Sequence, residues 1–117
     1  MMKEHPGLQE LVGREISSVE FVRGYVQIRF DGPCLSAYTM PSITTDSGRV
    51  LDHSTVGYAD ALVGFVGKAV EAAYQLETAI ELRFACGARM AVSLRDADRR
   101  SDEAAILTTD GVPIWSW

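Results

Sequence analysis

The sequence predicts an α+β domain, mainly β, in which two pseudo-symmetric units form a sheet or partly open barrel closed by a C-terminal hairpin. Each unit is a short helix followed by three antiparallel strands. Three observations carry this expectation: an internal repeat relates the two halves, runs of period-two hydrophobicity follow in both copies, and glycine-containing turns separate those runs. The chain has 117 residues, which fits a single domain, with units at about 6–40 and 60–94 and the hairpin at about 104–117.

The repeat is read by setting Leu8-Gln9-Glu10-Leu11-Val12-Gly13-Arg14-Glu15-Ile16 beside Leu62-Val63-Gly64-Phe65-Val66-Gly67-Lys68-Ala69-Val70, at an offset of 54 residues. Leucine, an apolar residue, valine, glycine, a cation and a β-branched residue recur in order. Val26-Gln27-Ile28-Arg29-Phe30 then matches Ile80-Glu81-Leu82-Arg83-Phe84. After one inserted residue Gly32 matches Gly87 and Leu35 matches Met90.

The elements follow in order. Leu8 and Leu11, like Leu62 and Phe65, are three apart and share one face of a short helix. Pro6 suits the first turn of the first helix and Asp60 the start of the second. Gly13 and Gly67 stand where each helix stops, at positions that call for positive φ. The first strand covers 16–22, where Ile16, Val19, Phe21 and Val22 favour β structure. Its counterpart, 68–77, holds Ala69, Ala72 and Ala73 and has helical propensity. We assign it as strand because the first copy is a poor helix and copies share a fold. Val26, Ile28 and Phe30, then Ile80, Leu82 and Phe84, alternate with polar residues and line one buried face. Asp31-Gly32-Pro33 and Cys86-Gly87 mark tight turns before third strands through Leu35, Ala37 and Thr39, and through Met90, Val92 and Leu94.

Between the units, residues 41–57 read as a long polar connection, and such loops are often functional. After the second unit comes a charged loop, 95–103, with a helical turn expected to start at Ser101. Residues 105–109, the Asp110-Gly111 turn and 112–117 read as the closing hairpin, with Pro113 placing the last strand at an edge or bulge. Trp115 and Trp117, two apart, fall on one side of that strand, and closing the core is the preferred reading over an interface.

Composition narrows the function classes. The net charge is −5, and Arg99-Arg100, the only basic doublet, lies among Asp96, Asp98, Asp102 and Glu103. Direct nucleic-acid binding needs a basic surface and is disfavoured. A basic protein partner suits this chain better, although simple solubility also explains mild acidity. No apolar run is long enough to span a bilayer, and residues 1–6 lack the apolar stretch of a secretory signal, so a cytoplasmic location with no membrane partner is expected. Cys34 and Cys86 are read as buried small hydrophobes that can lie close together without a bond.

Catalytic and metal chemistry was weighed and set aside. Asp52, His53 and Ser54 are adjacent in sequence, and adjacent side chains do not converge as a triad must. A solvated loop with a turn at Asp52 is the better reading. His5 and His53 are the only histidines, the cysteines are far apart, and Asp96, Asp98, Asp102 and Glu103 lack calcium-loop spacing. No dinucleotide or phosphate loop is present. No catalytic residue, metal or cofactor is expected.

The two Leu-x-x-[Leu/Phe]-Val-Gly-[Arg/Lys] segments, each followed by a strand ending in Phe and a glycine turn, resemble those of small two-repeat bacterial domains largely of unknown function. Some similar small acidic proteins are the immunity proteins of contact-dependent growth inhibition and polymorphic toxin systems. The likeness covers about 8–94 and the tryptophan-containing end. It implies a non-enzymatic binding protein whose partner is a cognate toxin domain, for instance a nuclease with a basic surface. No binding residue transfers by motif. From exposure and charge alone, the expected contacts are Asp46, Asp52 and His53 in the connection, with Asp96, Asp98, Asp102 and Glu103 in the charged loop. Two alternatives stay open: a small-molecule binder or enzyme with a pocket between the units, using Tyr38, His53 and Tyr58, and a homodimer with a scaffolding role.

Overall fold

A computed structural model describes residues 3–117; Met1 and Met2, part of the polar start considered above, lie outside them. The order of elements is α1 (Pro6–Gln9), β1 (Ser18–Val22), β2 (Tyr25–Arg29), β3 (Pro33–Ala37), β4 (Ser42–Thr44), β5 (Val50–Leu51), α2 (Tyr58–Val63), β6 (Val70–Gln75), β7 (Ala79–Phe84), β8 (Arg89–Ser93), β9 (Ala105–Thr109) and β10 (Val112–Ser116), with a short 3-10 turn at Asp96–Asp98. The fold is mainly β. The strands form two five-stranded antiparallel sheets, ordered β1-β2-β3-β9-β10 and β5-β4-β8-β7-β6, rather than one sheet or a barrel.

The reason for two sheets lies in 41–57. This segment is not an unstructured connection. It contains the β4–β5 hairpin, which pairs with β8 through Ser42↔Ala91, Ile43↔Met90 and Thr44↔Arg89. Ile43 and Leu51 are buried, so even this short polar stretch delivers two anchors to the core. In return β9 pairs with β3 across Leu35↔Leu107 and Ala37↔Ala105, and β10 pairs with β9 as the expected C-terminal hairpin. Each hairpin therefore completes the sheet begun in the other half of the chain.

Period-two runs become inner faces as the pleat requires. Val26 and Ile28, Leu35, Ala105 and Leu107 from one sheet join Ile80, Leu82, Phe84, Met90 and Val92 from the other in one hydrophobic cluster. Leu8, Leu11, Leu62 and Phe65 close it. Only Leu8 and Leu62 are helical, however: α1 ends at Gln9 and α2 at Val63, so Leu11 and Phe65 reach the core from the turns that follow, not from a shared helix face. Phe65 and Phe84 meet edge to face at 5.0 Å between ring centres.

The halves also touch along their backbones. Gly13 N donates to Val70 O at 2.7 Å and Val70 N to Arg14 O at 2.9 Å. Shifted by 54 residues, the same pair of bonds recurs with the roles exchanged: Gly67 N to Ile16 O at 2.8 Å and Ile16 N to Lys68 O at 3.1 Å. Gly13 and Gly67 reach this seam with φ of 86° and 89°, a left-handed turn that a Cβ would strain. Because Ile16 is engaged here, β1 starts later than expected, at Ser18. β6 is a strand despite its alanines: Val70 and Ala73 are buried and the element pairs with β7 except at Glu71, where the register shifts, so tertiary context overrides local propensity.

Several local expectations are corrected. The helical turn of the charged loop lies at Asp96–Asp98, before Ser101. Pro6 takes the first helical position as expected, and His5, which the sequence did not single out, caps α1, its Nδ1 accepting the Gly7 N–H at 3.1 Å. Asp60 sits in the first turn of α2, near its start as expected, and Gly57 is the capping residue. Cys34 is buried but Cys86 is exposed, beside the Lys68 ammonium; both are free thiols. Trp117 packs against the core, whereas Trp115 remains 41% exposed.

Trp115 instead covers the start of the chain. Its ring lies edge-on to His5, with centroids 4.4 Å apart, and His5 also contacts Trp117 at 5.1 Å. A Cβ added at Gly7 would stand 2.0 Å from Trp115 Cδ1. Gly7→Ala is therefore expected to displace the indole and destabilise the fold by ~1–3 kcal/mol, the usual range for overpacking. Urea unfolding followed by tryptophan fluorescence measures both the loss and the altered native signal.

Burial holds the His5 imidazole below its ordinary pKa, so the folded state favours the neutral ring whose Nδ1 caps α1. In the relevant window the unfolded chain binds more protons than the folded one, so stability falls with falling pH. The contribution is fully present above the ordinary imidazole pKa of 6.5 and is lost as pH drops below it through the folded value. We expect a small fall in thermal midpoint between pH 7.5 and pH 5 that His5→Gln reduces. A pH response unchanged by His5→Gln would remove the cap from the account.

Candidate binding cleft

The two loops singled out in the sequence meet on the outer side of the second sheet. Ser42 of β4 and Ala91 and Ser93 of β8 form part of a cleft of about 520 Å³. Thr39 and Met40 enter from the chain between β3 and β4, Asp52 and His53 from the loop after β5, and Ala97, Asp98, Arg99 and Arg100 from the charged loop. The strand pairing explains the convergence. Hydrogen bonding β4 to β8 brings the ends of segments separated in sequence onto one rim.

Asp52 organises its own loop. Its Oδ1 accepts hydrogen bonds from the amide and hydroxyl of Ser54 and from Thr55 Oγ1, while its own amide donates to Thr55 Oγ1 at 3.0 Å. The Ser54 bonds, side chain first, hold the Asp52 carboxyl below the usual carboxylate range, with smaller help from Thr55 and the His53 charge. This is the turn at Asp52 read from the sequence, with Ser54 as a donor in that turn. Asp98 is fixed in a similar way, its Oδ2 accepting from Ser93 Oγ, which in turn accepts the Arg95 amide at 3.2 Å.

Arg99 ties the cleft to the end of the chain. Its Nη1 donates to the carbonyls of Asp102 at 3.0 Å and Trp117 at 3.3 Å. Its Nε stands 3.5 Å from Asp96 Oδ1, close enough for charge attraction but without hydrogen-bond geometry. Among the described residues, the Arg100 and His53 side chains, by contrast, make no hydrogen bond or ion pair. Thr39 is only 7% exposed, and its hydroxyl is buried without a partner.

Of the residues expected to bind a partner, the structure brings Asp52, His53 and Asp98 together. Asp96 and Asp102 are exposed on the same charged loop without lining the cleft, and Glu103 is half-buried rather than freely solvated. Asp46 is elsewhere: it borders a separate depression of about 140 Å³ with Phe65, Lys68 and Ala88. The alternative trio of Tyr38, His53 and Tyr58 is not assembled. Tyr38 packs against Tyr25 at 4.9 Å, and Tyr58 is buried with its hydroxyl donating to the Pro41 carbonyl. Burial, with the Asp52 charge adding to it, pushes the Tyr58 phenol well up and keeps it protonated.

Sequence reasoning missed Thr39, Met40, Ser42 and Ser93, which carry no motif and become neighbours only through pairing of β4 with β8. Arg99 and Arg100 were visible as a basic doublet, but only as an argument about nucleic acid. Among the described residues, no group of three or more His, Cys, Asp or Glu could hold a metal ion, and no helix is long and apolar enough to cross a membrane. Comparison with family models, curated proteins and solved structures finds no match.

Proposed function

We propose that this chain is a non-enzymatic binding protein that neutralises a cognate toxin domain, working as an immunity protein in the cytoplasm. One observation supports the reading best: Asp52 and His53 converge with Asp98 in a single cleft although some 45 residues separate them in sequence. Asp96 and Asp102 extend the acidic rim beside it. The net charge of −5 adds long-range attraction for a basic partner, such as a nuclease that must itself grip phosphate. The carboxylates are pre-positioned by Ser54, Thr55 and Ser93, so little order is lost when a partner docks.

Co-expression with the C-terminal domain of whatever secreted protein is encoded beside this chain tests the proposal. Cells are expected to survive, and the purified pair to form a complex whose association slows with added salt, since exposed charges are screened over about 8–10 Å at physiological ionic strength. Absence of both protection and complex would sink the reading.

A further inference from the structure

The geometry points to the cleft between 39–42, 52–53 and 93–100 as a binding site for a small organic oxyanion, a carboxylate or a phosphate ester. This goes beyond inhibition of a protein partner and does not depend on it. Three buried side-chain polar atoms lack a hydrogen-bond partner among the described residues: Thr39 Oγ1, Arg99 Nε and Thr109 Oγ1. Two of the three belong to residues lining this one cleft. Buried polar groups in folded proteins are nearly always hydrogen-bonded, so the Thr39 hydroxyl and Arg99 Nε, which has only its 3.5 Å charge contact with Asp96, call for an explanation at one place.

The chemistry of the unpaired groups defines the ligand. Arg99 Nε–H and the Arg100 guanidinium are donors, and the Thr39 hydroxyl and the His53 ring can donate. One oxygen of each cleft carboxylate is already engaged, Asp52 Oδ1 by Ser54 and Thr55 and Asp98 Oδ2 by Ser93. What the site lacks is therefore an acceptor-rich, negatively charged group. An arginine presents a fork that matches carboxylate and phosphate oxygens. Arg99 and Arg100 offset Asp52 and Asp98, which makes the cleft locally near neutral in a chain of net charge −5. Met40, Ala91 and Ala97 supply apolar wall for the rest of the molecule. The volume of about 520 Å³ falls in the ~300–1,000 Å³ range of small-molecule sites.

The test is a titration of isotopically labelled protein, followed by amide chemical shifts, with sodium acetate, sodium phosphate and sodium chloride at matched ionic strength. Acetate or phosphate is expected to give saturable shifts confined to 39–42, 52–53 and 93–100, with chloride giving none. Whichever of the two binds more tightly identifies the headgroup. Arg100→Gln and His53→Gln should each weaken binding about tenfold, the loss of roughly one charge-assisted hydrogen bond, while Asp46→Asn leaves it unchanged. Thr39→Val should raise the thermal midpoint of the free protein yet weaken anion binding, opposite signs that a merely structural threonine would not give. Equal shifts with chloride, no shifts with either oxyanion, or full binding by Arg100→Gln would overturn the assignment.

Discussion

Asp96→Lys and Asp102→Lys, combined with Asp98→Asn, are expected to slow association with a basic toxin domain by about tenfold or more, within the range that electrostatic steering spans. Asparagine is chosen at position 98 because it keeps an acceptor for Ser93 Oγ while removing the charge. Lysine at 96 gives up the exposed contact with Arg99, and pairs of this kind are worth about 0–1 kcal/mol. The variant should therefore stay folded, which circular dichroism checks, while stopped-flow mixing at two salt concentrations reads the rate. If steering is the mechanism, the variant and the parent converge at high salt. Equal rates at low salt would move the interface away from the charged loop, and the β4–β5 turn with Asp46 is the next place to examine.

Phe84→Ala is expected to cost ~3–5 kcal/mol, the usual range for emptying an aromatic site in a packed core. Phe84 is 2% exposed and lies edge to face with Phe65, itself 2% exposed, in the turn that follows α2. Domains of this size are stable by only about 5–15 kcal/mol, so the variant should retain little margin at 25 °C. Urea denaturation measures the loss. In a double-mutant cycle with Phe65→Ala, the ring pair should show a coupling of ~0.5–1.5 kcal/mol beyond area burial. Additive effects would mean that the two rings act independently despite their contact.

How far the fold was legible depended on whether a signal was local. Val26, Ile28 and Phe30 declare a buried face by alternation alone, and Gly13 and Gly67 declare a left-handed turn by having no Cβ. Both readings hold. β4 and β5 were not legible, because Ser42-Ile43-Thr44 and Val50-Leu51 are too short to show a period. They are strands only because β8 offers them an edge. That same pairing assembles the cleft, so Thr39, Ser42 and Ser93 could not be recognised as neighbours from their own identities. Asp52 and Asp98 were picked for exposure and charge, and they meet for a reason those criteria do not contain. Asp46, chosen on identical grounds, faces a different depression.

The exchange of hairpins has a consequence for how the molecule can be divided. β4–β5 lies in the first half of the chain and completes the second sheet, while β9–β10 lies in the second half and completes the first. Neither half holds a finished sheet, so no cut between β5 and α2 leaves an autonomous folding unit, and most of the stabilising contacts close only after distant segments have met. Topologically, the chain is what two half-length polypeptides would build by trading their terminal hairpins and then being joined end to end. Expressed as two separate fragments divided in that loop, the halves should each be unstructured and should recover the native spectrum only when mixed, which makes this fold a scaffold for conditional reassembly.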